Sequence, residues 1–213
     1  AIRQQIELWK NENYISHNVY YFLLASLLEN ADKVANTASV YGAYLKQLKK
    51  TAQKDLYLEP AFFLENQHEH QVFNEDSNIL IQRIEGDILY LDPPYNQREY
   101  GANYHLLNTI AKYDVFTPKG KTGLRPYKKS NYCKKSTIVE SFEALISKAA
   151  FKYIFLSYNN EGLLSTAQIR EIMQRYGKYD LQNTQYSRFK ADKEKNRNHK
   201  AQTTTEYIHI LEK

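Results

Sequence analysis

The chain has 213 residues, a formal net charge of +5, 19 tyrosines and one cysteine. The single cysteine excludes an internal disulfide. The sequence has no apolar run of membrane-spanning length and no signal-peptide pattern, which predicts a soluble cytoplasmic protein. A basic, aromatic-rich surface suits a nucleic-acid ligand, although basic soluble proteins are common.

The first part of the chain, to about residue 58, has helical periodicity. Apolar residues recur at helical spacing around Ile6, around Phe22 and from Val40 to Leu48, which predicts three helices. The chain opens at Ala1 inside such a pattern, and its only methionine is Met173. We therefore expect further residues upstream of Ala1 in the native protein.

The remainder alternates strand-like and helix-like segments. Strand-forming runs occupy residues 86–92, 152–158, 179–189 and 204–213, and amphipathic helical patterns occupy 136–149 and 165–177. This order predicts an open α/β sheet of about four strands, in which crossover helices join parallel strands. No helical pattern separates the last two runs, so the final strand is predicted to be antiparallel.

The stretch LYLDPPYN (residues 89–96) ends the first of these runs. Proline cannot donate to a sheet ladder, so the strand must stop there. The Asp92 carboxylate and the Pro93 carbonyl would be two fixed acceptors for the N–H bonds of an exocyclic amine, and Tyr95 offers a face on which a base can stack. A base reaches such a pocket only when it is flipped out of the duplex. The alternative is a simple strand terminator with Asp92 as a turn former.

The run DILYLDPPYN (87–96) resembles the catalytic motif of the DNA adenine-N6 methyltransferases, which use S-adenosylmethionine. Further segments are similar to one bacterial group of these enzymes: VFNEDSNIL (72–80), REYGANYHLLNTIA (98–111), FLSYNNEG (155–162), the pair YSRF (186–189) and EYIHIL (206–211), and ASVYGAYLK (38–46).

The resemblance implies roles for particular residues. The catalytic residues would be Asp92, Pro93, Pro94 and Tyr95, and the cofactor-binding residues would be Asp76, Ser77 and Asp92. Substrate-binding residues would be Asn103, Tyr104, Asn159, Asn160, Tyr186 and Arg188. Asn159 and Asn160 are equally compatible with a turn, and Tyr186 and Arg188 with closure of the sheet. Asn103 and Tyr104 are also compatible with a helix start in which Asn103 is the cap, although the pocket role is slightly favoured.

The implied fold is the carboxyl half of a Rossmann-like methyltransferase sheet with its last strand antiparallel. Residues 1–70 would form a helical segment, a candidate target-recognition or DNA-contacting region, and residues 71–213 the catalytic α/β portion. The family's glycine-rich cofactor turn does not occur in residues 1–70. We therefore expect an upstream segment or a partner chain to carry it, and this chain alone to bind S-adenosylmethionine weakly or not at all.

A basic loop between residues 118 and 135 contains no acidic residue. Contact with DNA phosphates is predicted, with a merely solvated loop as the alternative. Its cations are Lys119, Lys121, Arg125, Lys128, Lys129, Lys134 and Lys135. No metal site is predicted, because His68 and His70 have no third ligand at a supporting spacing.

The favoured function is adenine-N6 methylation of double-stranded DNA by a bacterial modification enzyme. An RNA or cytosine-N4 methyltransferase is an alternative, because the same acceptors serve any exocyclic amine. A non-catalytic DNA-binding subunit that needs a partner chain is another.

Overall fold

The computed structural model describes residues 1–37, 41, 45–187 and 203–213. The chain forms two compact units, Ala1–Glu69 with Tyr100–Lys128 and His70–Glu99 with Lys129–Lys213. Among the described residues, no helix combines the length and the apolar character that crossing a membrane requires.

Seven helices and four strands follow one another within the described residues. The helices are α1 (Ile2–Asn11), α2 (His17–Lys33), α3 (Ser77–Leu80), α4 (Tyr100–Asn103), α5 (His105–Lys112), α6 (Ile138–Lys148) and α7 (Thr166–Gln174). The strands are β1 (Glu85–Leu91), β2 (Ala150–Asn159), β3 (Lys178–Ser187) and β4 (Thr203–Glu212). Short 3-10 turns occupy Thr51–Gln53 and Asn131–Cys133.

The first unit joins the N-terminal helices to residues 100–128, which the sequence grouped with the catalytic portion. Arg3 of α1 is buried, and its guanidinium donates to the carbonyls of Ile110 and Ala111 at 2.8 and 3.1 Å. These carbonyls end α5 and have no partner within that helix. The contact joins residues more than one hundred positions apart, so no local pattern could have predicted it.

The third predicted helix is not found where the structure describes it. Residues 38–40 and 42–44 lie outside the described residues, and residues 45–50 are not helical. The Asn36 side chain donates to the Gln47 carbonyl and accepts from the Lys49 N–H, at 3.3 and 3.0 Å. Such side-chain bonds offer the backbone an alternative to helical pairing, and the prediction was wrong for this stretch.

The second unit contains the predicted α/β sheet. Its four strands lie in the order β1-β2-β4-β3. β1 and β2 are parallel, and β4 is antiparallel to both β2 and β3. The fold class and the antiparallel last strand are thus confirmed. The insertion of β4 between β2 and β3 was not predicted, because the order of strands depends on contacts that are distant in sequence.

One face of the sheet packs on α6 and α7. Inward-pointing residues of the strands meet the apolar stripes of the two helices, and α7 begins with a capping box formed by Ser165 and Gln168. The fully buried members of this core are Ile138, Phe142, Ile146, Ile154, Leu156, Ile169, Met173 and Leu211.

His209 of β4 is a buried polar residue beside this core. Its Nδ1 lies 2.9 Å from the Tyr179 hydroxyl, and its Nε2 has no hydrogen-bond partner among the described residues. Burial, with a smaller contribution from the positive charge of Arg170, lowers the pKa of His209 from 6.5 to about 4. The native protein therefore holds this imidazole neutral.

This burial predicts a pH-dependent stability. Between pH 6.5 and 4 the unfolded chain binds a proton at His209 that the native chain does not. The free energy of unfolding should therefore fall on acidification through this window, by at most about 1.4 kcal/mol per pH unit from this one group. Urea unfolding of His209→Leu should show a shallower pH dependence than wild type. The exposed His68→Leu is the control, and equal slopes in all three proteins would contradict the prediction.

Candidate active site

The stretch Asp92–Tyr95 follows β1 directly at its carboxyl end. Because β1 and β2 are parallel, with Leu91 opposite Leu156, the loop after β2 leaves the same edge of the sheet. Ligands of open α/β sheets bind at this edge. The loops that follow β1 and β2 therefore lie at the same edge of the sheet.

The side chains of the strand-end stretch reach solvent. Asp92 is exposed, Pro93 and Pro94 are half-buried, and the Tyr95 side chain is 39% exposed. Among the described residues, none donates a hydrogen bond to the Asp92 carboxylate. Its acceptor capacity is thus available to a ligand.

The backbone of the stretch is fixed by the loop after β2. The Leu163 N–H donates to the Tyr95 carbonyl at 2.8 Å. Gly162, one residue earlier, packs so closely on the buried Tyr158 ring that an added Cβ would lie 2.0 Å from Tyr158 Cε1. The Tyr158 hydroxyl in turn accepts from the Leu164 N–H at 3.3 Å. A glycine is therefore required where this loop crosses the ring.

The two asparagines after β2 shape the same loop. The Asn159 side-chain oxygen accepts from the Glu161 N–H at 3.1 Å. Asn160 bonds to the backbone of Thr205 in β4 through its own N–H and its side-chain oxygen, at 3.1 and 3.2 Å. Asn159 thus shapes the turn and Asn160 ties it to β4, and the contact of either residue with substrate stays a prediction.

Two of the three predicted cofactor-binding residues, Asp76 and Ser77, lie at the start of α3. Asp76 caps this helix by accepting the Asn78 N–H at 2.9 Å, and both Asp76 and Ser77 are exposed. The Asn78 amide donates to the Ser141 carbonyl at 2.7 Å and accepts from the Tyr132 hydroxyl at 2.8 Å. The cap is therefore anchored to α6.

The other predicted substrate residues do not all belong to one unit. Asn103 and Tyr104 belong to the first unit, where the Asn103 carbonyl accepts from the Tyr41 N–H at 2.6 Å and the Tyr104 ring is 40% exposed. Tyr186 lies in β3 opposite Thr204. Arg188 lies outside the described residues.

The lysines of the basic loop project outward. Lys119, Lys121 and Lys128 of the first unit are exposed, as are Lys129 and Lys135 of the second, and Lys134 is half-buried.

Arg125 differs from these lysines. It is 5% exposed and donates to both carboxylate oxygens of Asp114 at 2.8 Å, with its guanidinium 4.8 Å from the Phe116 ring centre. This hydrogen bond holds the pKa of Asp114 below its usual value. Arg125 therefore stabilises the loop from within, and it is not proposed as a residue that binds phosphate.

Cys133 is unsuited to nucleophilic catalysis. It is buried, and burial together with the nearby negative charge of Glu99 raises the pKa of its thiol to about 11. The thiol is therefore protonated at neutral pH, whereas a nucleophilic cysteine must be a thiolate.

A family model described as D12 class N6 adenine-specific DNA methyltransferase matches residues 1–172. The chain belongs to this family. The match includes β1, the Asp92–Tyr95 stretch and the loop after β2, whereas Tyr186 and Arg188 lie beyond it.

Several curated proteins are similar to this member of the D12 class. The type II methyltransferase M.NlaIII of Neisseria lactamica is 68% identical over 213 residues, which are 100% of this chain and 64% of the relative. The type II methyltransferase M.FokI of Planomicrobium okeanokoites is 41% identical over 100% of this chain and 33% of its own length. The modification methylase StsI of Streptococcus sanguinis is 38% identical over 89% of this chain and 30% of its own length.

The chain thus spans 64% of the length of M.NlaIII and about a third of the other two relatives. No solved structure matches it.

Three positions of this D12-class chain were not predicted from the sequence: Glu99, Gly162 and Leu163. Gly162 had a signal, since a glycine soon after a strand end marks a close approach or a turn. Glu99 had none, because glutamate is rarely buried and its chain neighbourhood is polar. Leu163 acts through its backbone N–H, which carries no sequence signal.

Proposed function

We propose that this chain is the part of a modification enzyme that methylates the N6 amino group of adenine in double-stranded DNA, with S-adenosylmethionine as the methyl donor. The observation that carries the proposal is the Asp92–Tyr95 stretch at the carboxyl end of a parallel strand, held through Tyr95 by Leu163. Membership of the D12 class supports it, as do relatives named type II methyltransferases and a modification methylase.

Two acceptors orient the target amine in this proposal. The Asp92 carboxylate and the Pro93 carbonyl each accept one N6–H bond, which draws the nitrogen lone pair out of conjugation with the ring. The following Pro94 limits the backbone freedom of Pro93. No side chain forms a covalent bond to the substrate, in keeping with the protonated Cys133.

The residues present suit one end of the cofactor. S-adenosylmethionine supplies an electrophilic methyl group when it is bound. The exposed Asp76 carboxylate uses one oxygen to cap α3, and its other oxygen would accept from the adenine amino group of the cofactor. The Asp92 carboxylate lies at the ligand-binding edge and favours a nearby sulfonium cation.

The product nucleoside tests the proposal. Duplex DNA is incubated with the full-length enzyme and labelled S-adenosylmethionine, and the DNA is digested to nucleosides. We expect label in N6-methyladenine. Label in N4-methylcytosine, or transfer to RNA alone, would overturn the assignment of substrate, and no transfer would overturn the assignment as an enzyme.

Tyr95 is predicted to hold the flipped base by stacking. Tyr95→Ala should weaken capture by about 1–3 kcal/mol, the scale of one base–aromatic stack, and Tyr95→Phe should retain most activity. The measurement is the fluorescence of 2-aminopurine at the target position during titration with enzyme. Tyr14→Ala removes another exposed ring and is the control. A Phe variant as defective as Ala would show that the hydroxyl matters instead of the ring.

The exposed lysines are predicted to bind phosphates. Changing Lys128, Lys129, Lys134 and Lys135 to Gln should weaken binding to every DNA sequence alike. The slope of log affinity against log salt should flatten by about 0.9 for each phosphate that the variant no longer neutralises. The control changes Lys148, the last residue of α6, and Lys178, the first residue of β3. Both lysines are exposed, and neither lies at the carboxyl ends of β1 and β2 where the candidate site is. An unchanged salt slope in the quadruple variant would contradict the prediction.

A further inference from the structure

Glu99 is a buried acid four residues beyond Tyr95. It is 9% exposed, and both of its carboxylate oxygens lie 3.1 Å from the Ser130 N–H. Among the described residues, no cation forms an ion pair with it. A carboxylate withdrawn from water needs compensation, and here a backbone N–H supplies it.

A second contact joins the same two stretches of chain. The Cys133 thiol donates to the Arg98 carbonyl at 3.7 Å. The Arg98 N–H donates to the Asn96 side-chain oxygen at 2.8 Å, which closes a tight turn directly after Tyr95. With the Leu163 bond to Tyr95, residues 95–99 are thus held from two sides.

The partner of Glu99 is itself rigid. We call residues 129–135 the lysine segment. Ser130 starts its 3-10 turn by accepting the Tyr132 N–H at 3.1 Å, and the Tyr132 hydroxyl donates to Asn78 at 2.8 Å. The buried side chains of Tyr132 and Cys133 therefore fix a backbone that displays Lys129 and Lys135 to solvent.

We propose that Glu99 is a positioning residue that couples the lysine segment to the Asp92–Tyr95 stretch. The inference rests on the proposed function. When Lys129 and Lys135 bind DNA phosphates, the Glu99–Ser130 bond holds the turn after Tyr95 in place. This turn in turn keeps the two acceptors of the preceding stretch, the Asp92 carboxylate and the Pro93 carbonyl, in the reactive position. Binding energy from the DNA backbone is thereby used in the chemical step, where remote interactions raise turnover as well as affinity.

The first test measures single-turnover methylation by the full-length enzyme at saturating DNA and cofactor. Glu99→Ala should lower this rate by up to about 100-fold, the scale expected for a misplacement of about 1 Å. Glu99→Gln should stay within about threefold of wild type, because its amide oxygen still accepts from Ser130. Glu140→Ala, which removes an exposed acid from α6, should have no effect.

A second pair of variants removes the donor instead of the acceptor. Ser130 has φ of −73°, which proline adopts, so Ser130→Pro deletes the N–H without straining φ at this residue. Ser130→Ala keeps the N–H and loses only the hydroxyl cap. Ser130→Pro should reproduce the rate loss of Glu99→Ala, and Ser130→Ala should not. This pair decides the question if Glu99→Ala fails to fold, as judged by circular dichroism.

A double-mutant cycle distinguishes coupling from a purely structural role. Changing Lys129 and Lys135 to Gln should lower the single-turnover methylation rate at saturating DNA about tenfold in the wild-type background. The same changes should not lower this rate further in the Glu99→Ala background, because the effects of interacting sites are not additive. The lysine changes should weaken DNA affinity equally in both backgrounds.

The outcomes separate this inference from the proposed function. If the wild-type enzyme is active, three results overturn the coupling alone. They are a single-turnover rate that Glu99→Ala leaves unchanged, additive effects in the double-mutant cycle, and a Glu99→Gln variant as slow as Glu99→Ala. A wild-type enzyme that transfers no methyl group to DNA overturns the proposed function and the coupling together.

Discussion

Replacing Asp92 by alanine is expected to lower methyl transfer by the full-length enzyme about 100-fold or more while leaving DNA affinity nearly unchanged. In the proposed function the Asp92 carboxylate acts on the target amine as its lone pair becomes available, and loss of one such preorganised partner typically costs about 100- to 1,000-fold in rate. Asp92 is exposed and accepts no hydrogen bond from a described residue, so its removal should not disturb the fold. The measurement is single-turnover transfer of labelled methyl groups beside a DNA titration.

The matched control is Asp87→Ala. Asp87 is an exposed aspartate of the same strand, β1, and lies five residues before the candidate site. The Asp87→Ala variant loses the same charge as Asp92→Ala, but at a position distant from the carboxyl end of the strand. Its methylation rate should therefore equal that of wild type. Turnover by Asp92→Ala at the wild-type rate would end the assignment of this residue as catalytic.

Replacing Gly162 by alanine is expected to damage both stability and catalysis. The new Cβ would lie 2.0 Å from Cε1 and 2.6 Å from Cζ of Tyr158, whose ring is 2% exposed and cannot swing into solvent. Overpacking of this kind costs about 1–3 kcal/mol, and occasionally more, in the free energy of unfolding. The loop must move instead, and with it the Leu163 N–H that holds the Tyr95 carbonyl. We expect the methylation rate to fall by up to about 100-fold.

A second glycine gives the comparison. Gly86 in β1 would place its Cβ 3.1 Å from Phe151 Cε1, and the Phe151 ring is only half-buried, unlike that of Tyr158. Gly86→Ala should therefore cost little in urea unfolding and nothing in rate. Adding Tyr158→Ala to Gly162→Ala removes the clashing ring, and the rate should then rise above that of Gly162→Ala alone. No recovery would show that the rate loss has another origin than this clash.

The local elements of the second unit were predictable because each has its own signal. The capping box before α7, the apolar runs of β1 and β2 and the proline stop after Asp92 depend on residues close together in the chain. The predicted helix at 40–48 relied on periodicity alone, and the Asn36 side chain outcompeted it at residues 45–50 with bonds to Gln47 and Lys49. Spacing of apolar residues cannot reveal such a competitor.

The sequence by itself determined the α/β class, the end of β1 just before Asp92 and the chemical groups that the Asp92–Tyr95 stretch carries, because these depend on residue type and on neighbours within a few positions. Tertiary structure alone decided the position of β4, the withdrawal of Arg125 onto Asp114, and the tethers from Leu163 to Tyr95 and from Ser130 to Glu99. Each of these is a choice of partner between groups separated by many residues. The sequence shows that a backbone N–H or a carboxylate is present, but it does not show which group that N–H or carboxylate bonds. Only the folded chain reveals the partner.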